Sequence, residues 1–270
     1  MKSTVLKGSA LLTALLAVSP AILAQPGPPG PPPAARRGGP PPAAQQAARF
    51  DLTGYWVSVV TEDWRWRMLT APTGDVGSIP ANAASRKEAL KFDGSKYGPA
   101  WTNKIDCRAY YAGGLMRMPT RLHITWAGPD TLKIESDWGQ QTRLLYFKQS
   151  DVPNAGPTPQ GSSLATWQLP VQGPRGGFAR GGGPVTGGRL QVVTTKLSPG
   201  WLQRNGVPYG EKAQVTEWFQ LFEDSTGKVW FDVTTKVEDP QHLSSPYVTS
   251  TDFRKEPDGS KWSPHACVKM

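Results

Sequence analysis

His123 is one of only three histidines in this 270-residue chain, and the turn Gly128-Pro129-Asp130 brings it opposite Glu135. Alternation about that turn places Leu122, Ile124 and Trp126 on one face with Leu132 and Ile134. Arg121, His123 and Thr125 share the other face with Lys133, Glu135 and Asp137, and Arg143 on the next strand is expected to join them. Arg121 then faces Asp137. Two readings are open. The pairs are cross-strand contacts on a solvated face, contributing about 0.2–1 kcal/mol each. Alternatively they line a polar pocket in which Glu135 raises the pKa of His123 and readies it for proton transfer.

The densest chemical patch is Glu62-Asp63-Trp64-Arg65-Trp66-Arg67. Read as an extended segment, it alternates Trp64, Trp66 and Met68 with Asp63, Arg65 and Arg67. The rings could cover a barrel opening with the arginine stems packed beside them. They could equally form a ligand site, with a flat apolar wall and a guanidinium fork for a carboxylate. Glu217, between Thr216 and Trp218, is either a solvated edge carboxylate or a buried acid–base group. Asn205-Gly206 marks a tight turn, and Tyr209 beside it could belong to a lid. The expectation is that Trp64 to Arg67 line one end of a cavity also reached by Arg121, His123 and Glu217.

Other chemistry leaves no trace. There is no Walker loop, no Gly-x-Ser-x-Gly elbow, no His-Glu-x-x-His and no Cys-x-x-Cys. Metal ligand spacing is absent and no cofactor is implied. The net charge of +9 includes Lys2, Lys7 and the early arginines Arg36 and Arg37, and basic residues elsewhere are mixed with acids. That distribution gives no nucleic-acid stripe.

Elements of period two must position these groups. Gly54 to Val60 is β-branched and aromatic, and strands follow at 122–126, 132–136, 141–147, 164–169, 190–197, 215–222, 229–237 and 248–253. Pro80 to Phe92 is the one helix. Asp224-Ser225-Thr226-Gly227 is a hairpin turn. The fold class is all-β: a single antiparallel barrel or strongly curled sheet with one short helix. The Gly- and Arg-rich run Gly173 to Gly188 reads as an inserted loop.

Residues 1–24 read as a secretory signal: Lys2 and Lys7 precede the apolar run Ala10 to Val18, with cleavage after Ala24. Residues 25–48, rich in Pro and Gly, hold too little apolar surface to order, and a disordered leader is expected. It is a spacer or, less simply, a docking motif. The barrel domain is then 49–270. No second apolar run has membrane length. In an oxidising compartment Cys107 and Cys267 are expected to pair, and closing so long a loop is worth up to about 5 kcal/mol in the chain-entropy model.

Gly54-x-Trp56 on the first strand resembles lipocalins, where that Trp plugs the barrel floor. A broader likeness runs from Cys107 to the end. It rests on Gly113-Gly114-Leu115-Met116-Arg117-Met118-Pro119, Gly161 to Trp167, Arg204-Asn205-Gly206-Val207-Pro208-Tyr209, Thr216-Glu217-Trp218-Phe219, Glu238-Asp239-Pro240 and Pro246-Tyr247. Together these resemble a family of exported bacterial all-β, lipocalin-like proteins, and Thr61 to Met68 looks like the mark of one subgroup. Where that family commonly carries Ser, this chain has Gly210. The resemblance implies fold and export, and brings no settled activity.

The expected function is binding of a small, largely apolar molecule carrying a carboxylate or phenol, in the periplasm or outside the cell. Its ligand residues would be Trp64, Arg65, Trp66, Arg67, Arg121, Arg143 and Asn205. One alternative is a cofactor-independent isomerase, hydratase or lyase using His123, Glu135, Glu217 or Tyr209. Another is an envelope interaction protein working through the leader and the sheet.

Overall fold

A computed structural model describes residues 41–96, 106–169 and 187–267. The signal segment, all of the leader before Pro41 and most of the Gly173–Gly188 loop lie outside the described residues. The described residues from Pro42 onward form one compact unit.

Nine strands close a barrel. They are β1 (Gly54–Val59), β2 (Arg121–Gly128), β3 (Thr131–Ser136), β4 (Thr142–Tyr146), β5 (Ser162–Gln168), β6 (Arg189–Thr195), β9 (Gln214–Glu223), β10 (Val229–Glu238) and β11 (Tyr247–Glu256). The short pair β7 (Gly200–Trp201) and β8 (Pro208–Tyr209) stands outside the wall. Closure comes from β1, which pairs with β11 on one side and β2 on the other. The expected all-antiparallel wall has one exception, since β4 and β5 run parallel. The long link between them, with Pro153, Pro157 and Pro159, returns the chain to its starting end, which a parallel pair requires.

Period-two burial fills the interior. Trp56, Leu122, Ile134, Phe219, Phe231 and Phe253 are fully buried there, and each such side chain contributes roughly 1.5–3 kcal/mol. Trp56 donates its indole N–H to the Leu52 carbonyl at 2.8 Å and stands edge-on to Phe231. The hairpin turn forms where expected, with Gly227 at φ 78° and the Asp224 amide donating to the Lys228 carbonyl.

The start of the domain lies earlier than residue 49. The Ala44 amide donates to Asp130 Oδ1 at 2.8 Å, and the Trp167 indole donates to the Ala44 carbonyl at 3.0 Å. Residues 42–48 therefore seat on the barrel end at which β1 begins. Small, turn-forming residues conceal this seat, because backbone groups make it.

The opposite end is covered by the segments around 60–96, 106–120, 197–213 and 239–246. The one expected helix is α2 (Ala83–Ala89), capped by the Asn82 side chain on the Ser85 amide. Two single turns accompany it, α1 (Trp64–Arg67) and α3 (Ala112–Leu115). Trp64 to Arg67 is thus a helical turn rather than an alternating strand. Asp63 enters the left-handed region at φ 48°, and the Met68 amide returns to Trp64.

The predicted disulfide joins Cys107 to Cys267, with the two Cα atoms 5.0 Å apart. Beside it the tail pairs with the Asp137–Gly139 segment through His265. No helix among the described residues is long and apolar enough to cross a membrane.

Candidate functional site

The residues singled out from sequence do not share one cavity. His123 and Glu135 are opposite each other as expected, with Nδ1 3.5 Å from Glu135 Oε2. They lie on the outer wall. The His123 ring stacks on Tyr55 at 4.2 Å, and Lys133 competes for Glu135 at 2.9 Å. Arg121 sits across from Asp137, but its guanidinium turns to Glu256 at 2.9 Å. Asp137 instead accepts the Arg121 amide and the Thr120 hydroxyl.

Arg143 corrects the expected placement. It pairs with Ile134 across β3 and β4, so it points inward rather than joining the outer polar face. Glu217 also points inward and is fully buried. The two form a bidentate pair, and Thr194 and Ser163 take further guanidinium hydrogens. Every strong donor and acceptor here is matched inside the barrel, which describes structural glue.

Arg67 is equally committed. It is 1% exposed, donates to Ser58 Oγ at 2.9 Å and to the Arg117 carbonyl at 3.1 Å, and pairs with Glu62. Burial works against its charge and lowers its pKa, and Glu62 offsets this only in part. Its neighbours diverge. Trp64 and Arg65 project outward, while Trp66 packs against Gly77. Asn205 is buried and spends its amide on the Pro72 and Asp75 carbonyls. Tyr209 is fully buried, accepts the Gly113 amide at 3.3 Å, and burial pushes its phenol pKa well up. Such a phenol stays neutral and makes a poor base.

A different arrangement has the geometry of a site. A cleft of about 430 Å³ lies on the covered end of the barrel, beside β7 and β8. Glu88 of α2, Arg108, Trp201, Tyr209, Lys212 and His242 line it. Its volume falls in the range of small-molecule pockets. A smaller hollow of about 180 Å³ adjoins it across Glu88, Arg108 and Trp201.

Each wall has a local cause. The short helix Cys107–Tyr110 is capped by Asp106, which accepts the Arg108 amide and both sides of its guanidinium. The guanidinium lies 4.1 Å above the Trp201 ring, and the Cys107 disulfide anchors the same turn. The hairpin of β7 and β8 brings Trp201 beside Pro208. Opposite, Asp239-Pro240-Gln241-His242 makes one turn in which the His242 and Leu243 amides return to the Asp239 carbonyl. That turn is clamped by Asn82, which bonds the Gln241 and His242 carbonyls.

Asp239 is 3% exposed and its carboxylate is ringed by donors. The Gln241 amide reaches Oδ1 at 2.8 Å, the Gly210 amide reaches Oδ2 at 2.7 Å, and His242 Nδ1 lies 2.9 Å from Oδ2. The imidazole edge is therefore fixed toward the cleft. Chemically this couples an oriented imidazole to an aromatic floor and a stacked guanidinium.

Sequence reasoning missed Arg108, Trp201, Asp239 and His242. The Asp-Pro-x-His spacing of one turn was a usable signal for the last two. Nothing local links them to Arg108 and Trp201. Comparison with known proteins is silent, since no family model and no curated protein matches the chain.

Proposed function

We propose that this is an exported binding protein for a small, largely apolar molecule carrying a carboxylate or phenol, held in the cleft between Trp201 and His242. The observation that carries the reading is the cleft itself, an aromatic floor with one oriented imidazole on its rim. The Trp201 ring and the guanidinium stacked on it offer a flat surface to an apolar or aromatic body. A neutral imidazole accepts a phenol hydrogen at Nε2, and a protonated one donates to a carboxylate. Lys212 at the rim adds attraction for an anion. The disulfide fits an oxidising compartment, consistent with the signal segment read at residues 1–24.

Isothermal titration with 4-hydroxybenzoate, alongside mass spectrometry of small molecules co-purified with native protein, tests this. Saturable one-to-one binding that weakens in Lys212→Ala is expected. Binding unchanged by any substitution lining the cleft would move the site elsewhere.

A second reading, an envelope interaction protein, is favoured by Trp64, Met68 and Leu69, exposed apolar side chains on α1 and just after it. Replacing all three with Ser should abolish a partner contact while leaving 4-hydroxybenzoate binding intact.

A further inference from the structure

We propose that the cleft is catalytic: His242, oriented by Asp239, acts as general base on a bound carbonyl compound and moves a proton between the carbon beside the carbonyl and the carbonyl oxygen. This rests on the cleft being the binding site, and adds chemistry to it.

The first observation is the couple. An ionised carboxylate only accepts, so the hydrogen between Asp239 Oδ2 and His242 sits on Nδ1. The lone pair is then on Nε2. Among the described residues no protein group hydrogen-bonds that nitrogen, and the ring lines the cleft with its side chain 22% exposed. Two backbone amides complete the Asp239 carboxylate, so the imidazole is held from below. A histidine with a buried, fully satisfied orienting carboxylate and an open second nitrogen has the parts of a general base.

The second observation is independent. Gly210 does not occupy the left-handed region, so its backbone does not demand glycine. The space does. A Cβ at this position would lie 3.0 Å from His242 Cε1, 3.2 Å from Nδ1 and 2.8 Å from the Gln241 side-chain oxygen. The chain leaves a notch beside the imidazole, and a Cβ there would press on the ring and displace the Gln241 side chain.

The reaction class follows from what surrounds the ring. Among the described lining residues there is no Ser, Thr or Cys, so a covalent acyl route has no such nucleophile. Glu88, Arg108, Glu211 and Lys212 are the charged groups of the cleft. Proton transfer next to a carbonyl needs no more. Nε2 takes a hydrogen from the carbon beside the carbonyl as that C–H bond breaks. The bonding pair forms the enolate C=C, and the carbonyl oxygen takes the negative charge, in a cleft whose lining includes the cationic side chain of Lys212. The imidazolium so formed pairs with Asp239 and returns its proton to the enolate, at the oxygen to give the enol or at the same carbon to restore the keto form with that hydrogen exchanged. Atoms and electrons balance without an oxidant, reductant or second substrate. The substrate class is a small aryl or alkyl oxo acid with an acidic C–H.

Phenylpyruvate is the probe, because it has an aromatic body, a carboxylate and exchangeable benzylic hydrogens. Its hydrogen–deuterium exchange in D2O is followed by NMR, and its binding by titration calorimetry. The wild-type chain should bind it and accelerate exchange at least about 100-fold over buffer. His242→Gln, at a partly exposed position, should lose about 100-fold in exchange rate when compared with the wild type at saturating phenylpyruvate. Asp239→Asn should lower kcat about tenfold with KM little changed, as expected of a positioning residue. Gly210→Ala should slow exchange, by less than His242→Gln does. Binding without exchange in the wild type overturns the catalytic proposal and leaves the binding reading standing. Absence of both overturns the two together. Exchange that survives in His242→Gln removes this residue from the chemistry.

Discussion

Inside the barrel, Arg143 and Glu217 show how a charged residue can look functional in sequence and be structural in place. Taking both charges out of water costs several kcal/mol, and their bidentate contact with help from Ser163 and Thr194 offsets that only while both are present. Glu217→Gln is expected to destabilise by about 3–5 kcal/mol in urea unfolding, because an uncompensated guanidinium remains buried. The paired change Arg143→Met with Glu217→Leu should recover most of that loss. An equal loss in the double variant would show that the pair itself holds the wall. On the outer wall near the covered end the reverse applies at Asp252. Desolvation raises its pKa, and Asp232 and Glu62 add repulsion. The native state therefore holds a proton that the unfolded chain releases near the usual carboxylate value. Stability falls as pH rises from that value through the raised native one. Asp252→Asn should accordingly raise the melting temperature at pH 7 and leave it unchanged at pH 3.

Among the elements, the strands were the most legible. Alternation at 122–126 and 132–136 fixed which residues face inward, and the Pro129 turn fixed that His123 opposes Glu135. Alternation says nothing of strand direction, so the parallel seam of β4 and β5 was invisible. It also failed at Trp64 to Arg67, where alternating types form a helical turn begun by Asp63. Alternation puts Arg143 on the outer face, whereas its pairing with Ile134 turns it inward, since one residue of register inverts every side chain. Helix α2 was found, and its role was not. Asn82 caps it and also grips the turn carrying His242. Asn82→Ala should cost about 1 kcal/mol through the lost cap. It should also weaken 4-hydroxybenzoate binding several-fold, whereas a substitution at exposed Lys87 should do neither.

For the molecule as a whole, the cleft is assembled from residues near 88, 108, 201, 210 and 242, which only closure of the barrel and its covering segments bring together. No window of sequence contains it. The disulfide was legible from two cysteines and an export signal, and its position gives it a second task. It ties the tail to the turn bearing Arg108. Replacing Cys107 and Cys267 with Ser should destabilise by up to about 5 kcal/mol and loosen ligand binding with it. The seat of residues 42–48 gives a graded expectation for truncation. Removing residues 25–40 should leave the melting temperature unchanged. Extending the deletion through residue 48 should lower it, since the Ala44 contacts to Asp130 and Trp167 go with it.

The three histidines report three separate places: His123 on the outer wall against Tyr55, His265 on the tail against Trp138, and His242 in the cleft. Their ring resonances, followed by NMR during titration with 4-hydroxybenzoate, test the location of the site most directly. A saturable shift of the His242 ring protons, with His123 and His265 unmoved, is the predicted result. A shift at His123 with none at His242 would contradict it and return the site to the outer wall.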